Sequence, residues 1–147
     1  MEKNINEKAP VLCSKSVVIR ASPEKIWATL TNINNWTNWQ PEIKKAKLNG
    51  SLRPQSTFEW KARGSTIHST IHTVELYKAL GWTGKALGIL AIHNWTIQQE
   101  GSNSIVSVNE SMEGLLAGVF KNLITKNLAK DTTNWLQFLK DECEKLT

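Results

Sequence analysis

From Val119 to Thr147 the chain contains neither glycine nor proline, and Phe120, Ile124, Leu128, Trp135, Leu139 and Cys143 recur at helical spacing. That pattern predicts a C-terminal helix of about six or seven turns with one apolar stripe. The stripe has to be buried against something, and the rest of the chain offers one kind of surface. Segments 44–48, 56–62, 66–76, 79–86, 89–98 and 104–113 read as strands, separated by short turns rich in Gly, Asn and Ser. Residues 13–20 form an earlier strand-like run. Ser22-Pro23-Glu24-Lys25 then signals a helix start, with Ser as N-cap and Pro in the first turn. Ile26, Trp27, Leu30 and Ile33 form that helix's apolar stripe, and Asn34, Asn35 and Pro41 end it. The order strand, helix, six strands, long helix predicts an α+β fold. A curved antiparallel sheet wraps the C-terminal helix, with a mostly apolar cavity between them.

The chain's 147 residues suit one domain. Residues 1–11 read as a polar tail and 12–147 as the domain itself. Cys13 and Cys143 stand far apart, without CxxC or zinc spacing, and read as thiols of a reducing cytoplasm. No metal or other cofactor is expected. The N-terminus lacks the apolar core of a signal peptide, and no apolar stretch reaches the roughly 18 residues of a membrane span. Net charge is +5, but the lysines read as solvated faces without interleaved stacking aromatics, so nucleic acid is not an expected partner.

Turn positions fix the register, and register fixes the faces. A hairpin turning at Gly101-Ser102 sets Ile97 opposite Val106, Trp95 opposite Val108 and His93 opposite Glu110. A turn at Arg63-Gly64 sets Trp60 opposite Ile67 and Phe58 opposite Ser69, leaving Glu59 with His68 outside. A turn at Leu87-Gly88 sets Gly84 opposite Ala91 and Trp82 opposite His93. A turn at Tyr77-Lys78 sets Thr73 opposite Trp82 and Ile71 opposite Gly84. The inner face then combines large apolar side chains with the small residues Ser69, Gly84 and Ala91, which leave room under the helix. Thr73, Trp82, His93 and Glu110 form an inward polar row, and convergent polar groups in an apolar pocket are the usual make-up of a small-molecule site. His68 and His72 read as outer-face, surface histidines.

His93 and Glu110 are within hydrogen-bonding reach as cross-strand neighbours. Three roles stay open for them: a structural pair, a polar anchor for a ligand, or a general acid and base. Seven tryptophans in one small domain are unusual. Trp27 reads as core, and Trp135 as core or cavity wall. Trp36 and Trp39, in an irregular segment, read either as a plug for one end of the core or as a lid over the cavity mouth.

The run Val18-Ile19-Arg20-Ala21-Ser22-Pro23-Glu24-Lys25-Ile26-Trp27 is followed by Trp36-Thr37-Asn38-Trp39-Gln40-Pro41 and Phe58-Glu59-Trp60-Lys61. Then come Ala91-Ile92-His93-Asn94-Trp95, Glu110-Ser111-Met112-Glu113-Gly114 and the terminal helix. In this order the pieces resemble the START-like (SRPBCC) superfamily, most closely its polyketide cyclase/dehydrase-type branch, over residues 14–145. The resemblance implies a helix-grip fold of seven strands around one long helix, with a cavity for lipid-, sterol- or polyketide-like molecules. The metal-binding set of the related ring-hydroxylase subunits is not found here.

Expected cavity residues are Trp36, Trp39, Phe58, Trp60, Ile71, Thr73, Trp82, His93, Trp95, Glu110 and Met112, with Phe120, Ile124 and Leu128 from the helix. Three functions compete: a carrier of a hydrophobic small molecule, a cyclase- or dehydratase-type enzyme using His93 and Glu110, and a partner-binding domain with a filled core. A monomer or weak homodimer is expected.

Overall fold

The computed structural model describes residues 3–145. Its strands are β1 (Val11–Ile19), β2 (Ile43–Asn49), β3 (Thr57–Ala62), β4 (Ser65–Glu75), β5 (Ala79–Ala86), β6 (Ile89–Glu100) and β7 (Asn103–Glu113). They form one antiparallel sheet in the order β1-β7-β6-β5-β4-β3-β2. The helices are α1 (Pro23–Thr31), α2 (Leu115–Val119) and α3 (Lys121–Cys143), and a 3-10 turn spans Ile33–Asn38. This is the expected α+β helix-grip arrangement.

Local chemistry sets the element boundaries. Ser22 caps α1 by accepting from the Lys25 amide at 3.2 Å, with Pro23 opening the helix. The C-terminal helix begins later than its glycine-free run. Phe120, at φ −106° and ψ 33°, breaks the chain between α2 and α3. The helix expected to reach Thr147 ends at Cys143. Leu146 and Thr147 lie outside the described residues, as do Met1 and Glu2 of the polar tail.

Three hairpins have the expected register, including Trp60 opposite Ile67, Trp82 opposite His93 and His93 opposite Glu110. Arg63-Gly64 and Leu87-Gly88 both take positive φ at the two central positions, as a tight two-residue turn requires.

The β4–β5 pairing differs from the expectation by two residues, in two separate steps. The loop holds three residues rather than two, so Glu75 faces Ala79 and Thr73 faces Gly81. That single step turns Thr73 to the outer face. A bulge at His72 then adds one residue, so Ile71 faces Trp82 and points inward again.

The outer face at this point is covered. The Lys3 amide donates to His72 Nδ1 at 3.2 Å, and Asn94 Nδ2 donates to the Lys3 carbonyl at 2.9 Å. The Asn6 amide donates to Ser111 Oγ at 3.0 Å. His72 is therefore 6% exposed rather than a surface histidine. Gly81 permits this packing, because a Cβ there would run into the His72 imidazole and stand 2.6 Å from Asn94 Oδ1.

The core has two parts. The larger is aromatic and centres on Trp36, whose ring meets Phe58, Trp60, Trp82 and Trp135. Its indole N–H donates to the Leu30 carbonyl at 2.8 Å. The smaller joins Val11, Cys13, Ala117 and Leu128 under the first half of α3.

Candidate functional site

A cavity of about 490 Å³ draws its walls from both parts of the core. Trp60, Trp82 and Trp135 belong to one, and Ile89, Met112 and Leu128 to the other. Gly84 and Ala91, opposite each other on β5 and β6, keep the floor low. At the rim, Arg63 makes a two-pronged contact with Asp131 of α3, both bonds 2.7 Å long. Leu87, at the tip of the β5–β6 turn, forms the adjoining lip.

A polar row crosses the inner face. Cys13, Glu110, His93 and Trp82 stand side by side on β1, β7, β6 and β5. His93 Nδ1 pairs with Glu110 Oε1, and both side chains are almost wholly buried. The imidazole stacks on Trp82 at 4.5 Å between centroids and 12° between planes. Trp95 is also stacked with it, at 5.6 Å.

That clamping leaves His93 Nε2 and Glu110 Oε2 buried without a partner. Gln40 Nε2 is a third such atom in the cavity wall, while Gln40 Oε1 accepts from the Glu42 amide at 2.8 Å. Buried polar atoms are normally satisfied, and three around one void mark positions where a ligand's polar groups would fit. Burial pushes the Cys13 thiol up, with the Thr132 hydrogen bond pulling the other way, so Cys13 stays a neutral thiol. Among the described residues, no cluster of His, Cys, Asp and Glu is placed to hold a metal ion. No helix there is long and apolar enough to cross a membrane.

Of the expected cavity residues, Trp60, Trp82, His93, Glu110, Met112 and Leu128 line the void. Trp36, Phe58, Ile71 and Trp95 are buried in solid core instead. Trp39 packs on Trp135 at 5.8 Å, and Trp36 and Trp39 are both buried. Thr73 lies on the outer face, Ile124 packs on the smaller core cluster, and Phe120 is 52% exposed.

Sequence reasoning missed Cys13, Gln40, Thr132 and the Arg63–Asp131 pair. Cys13 reaches Glu110 through β1–β7 pairing, which no turn connects, so hairpin arithmetic does not extend to it. Arg63 carried a signal, being the non-glycine half of a turn that demands positive φ, but its partner on α3 lies 68 residues away.

Residues 11–144 match the family model described as polyketide cyclase / dehydrase and lipid transport. No curated protein matches the sequence. A hypothetical protein of Helicobacter pylori superposes with a TM-score of 0.84 at 15% identity, covering 98% of each chain. A START superfamily protein of Mycobacterium smegmatis gives 0.81 at 18% identity, covering 92% of this chain and 99% of that one. The di-domain ARO/CYC protein BexL of the BE-7585A biosynthetic pathway gives 0.77 at 15% identity, with 95% of this chain on 52% of that one. At these identities the likeness establishes the helix-grip fold.

Proposed function

The chain belongs to the polyketide cyclase/dehydrase and lipid transport family, and from that premise we propose that it binds and carries a hydrophobic small molecule in its cavity. The observation that carries this reading is a void of about 490 Å³, largely apolar, with three unpartnered polar atoms in its wall. Its volume suits a lipid-, sterol- or polyketide-sized molecule. The ligand's apolar body would lie between Trp60, Trp135 and Leu128, and its polar end would meet His93 Nε2 and Glu110 Oε2.

The test compares native with denaturing mass spectrometry on protein purified without added ligand, alongside Ala91→Leu. Wild type is expected to carry extra mass that departs on denaturation. Ala91→Leu places an isobutyl group in the void, so occupancy should fall about tenfold or more while the fold melts no lower. Equal occupancy in the variant would remove the cavity from the explanation.

A second reading has one specific observation behind it. The His93–Glu110 pair lines the void, is clamped by Trp82, and keeps a buried nitrogen and a buried oxygen without partners. That arrangement suits moving a proton on a bound polyketide-like substrate, as a cyclase or dehydratase would. Full turnover in a His93→Ala, Glu110→Gln double variant would eliminate it. A partner-binding domain with a filled core is disfavoured by the void itself.

A further inference from the structure

We propose that an apolar face beside the cavity mouth docks this protein on a bilayer of anionic lipids. Leu115, Leu116, Val119, Phe120 and Leu123 on α2 and the start of α3 are 81, 39, 65, 52 and 59% exposed, and Leu87 in the adjoining turn is 71% exposed. These are six of the ten large apolar side chains exposed among the described residues. Single exposed apolar residues are ordinary, but a cluster of this kind marks an interaction surface.

The break at Phe120 gives the cluster its shape. It separates α2 from α3, and apolar residues on both sides of the break stay in solvent while Ala117 alone of α2 is buried. Gly114 sits against the Gly88 carbonyl, which brings Leu87 next to the start of α2.

Charge selects the occupant. From Gly114 to Lys130 there is no acidic residue, while Lys121, Lys126 and Lys130 are all exposed. Lys85, one residue before the end of β5, is exposed as well. Apolar side chains interleaved with lysines and free of carboxylates are the pattern of a helix lying in the headgroup layer of an anionic membrane. A second copy of the chain fits worse, because a two-fold contact would set the same lysines against one another. Leu87 and Lys130 also line the cavity, so docking would place the mouth at the lipid surface. The docking face does not depend on the carrier reading, since protein with an empty cavity should bind vesicles equally.

The test is flotation of the full chain with vesicles of phosphatidylcholine alone and vesicles with phosphatidylserine added. Three lysines at the surface predict affinity about a hundredfold higher for the anionic vesicles, fading as salt is raised. A Leu115→Ser, Phe120→Ser variant should bind about tenfold more weakly or worse, with an unchanged melting temperature. If that variant is unstable, Lys121→Glu with Lys126→Glu decides by losing the anionic preference. Absent or equal binding to the two vesicles overturns the proposal. So does a wild-type dimer in solution that the serine variant dissolves.

Discussion

His93 and Glu110 are each the other's remedy for burial. An ionised carboxylate or an imidazolium alone in the floor of an apolar void has lost its water, and the partner across the β6–β7 ladder replaces part of it. Removing one member leaves the other stranded, whereas removing both leaves an apolar patch. His93→Leu or Glu110→Leu alone should therefore cost about 3–5 kcal/mol in urea denaturation. The double variant should cost clearly less than the two added together, a coupling that a double-mutant cycle reads directly. Additive losses would mean that each side chain is held by something else, the Trp82 stack being the nearest candidate for His93.

At the scale of the element, legibility followed turn length. Two-residue turns that contain a Gly fix one register, and three hairpins of that kind have the expected pairing residue for residue. The loop Leu76-Tyr77-Lys78 contains no glycine, and Tyr77 itself takes φ 63°, so nothing in its composition announced a third residue. The bulge at His72 had no signal either, and the amide that His72 meets on the outer face lies 69 residues away. That contact predicts a pH response. His72 Nδ1 accepts from the Lys3 amide, which an imidazolium cannot do. Burial, with the Lys3 charge behind it, holds the imidazole below its ordinary 6.5. A depressed histidine favours the folded state above the unfolded value and loses that contribution as pH falls past it. Stability should accordingly drop as pH is lowered from about 6.5, and the protection factors of the Lys3 and Asn6 amides, corrected for the intrinsic pH dependence of exchange, should fall over the same range. His72→Asn should flatten the response, and an unaltered slope in that variant would assign the effect to another group.

For the molecule as a whole, the fold was legible because the glycine-free C-terminal run, the strand spacing and the capped first helix all agreed with one another. The site was legible where a hairpin tied two strands together and, on the helical stripe, at Leu128. Its remaining wall comes from the Gln40 bend, Ile43 at the start of β2, and α3, elements joined through space rather than through tight turns. The same geometry makes the bracing of α3 uneven. Its first half spans the void and is tied at the rim by the half-exposed Arg63–Asp131 pair, while its second half sits on Trp135, Leu136, Leu139 and Cys143 over solid core. The far end is locked by Glu144, which accepts from the Arg20 amide at 2.8 Å and from the Lys140 ammonium. The Arg20 amide, then Lys140, holds this carboxyl well below its ordinary 4.5, at about 2. Because the folded value is the depressed one, the lock is complete above about 4.5 and is lost as pH falls through about 2. Glu144→Gln lacks the charge at every pH. Thermal melting followed from neutral to acid pH should show the variant less stable than wild type at neutrality, with the two curves converging between 4.5 and about 2. A gap that stays constant down to the acid end would mean that the carboxylate charge is not what fastens α3 to the β1–α1 corner.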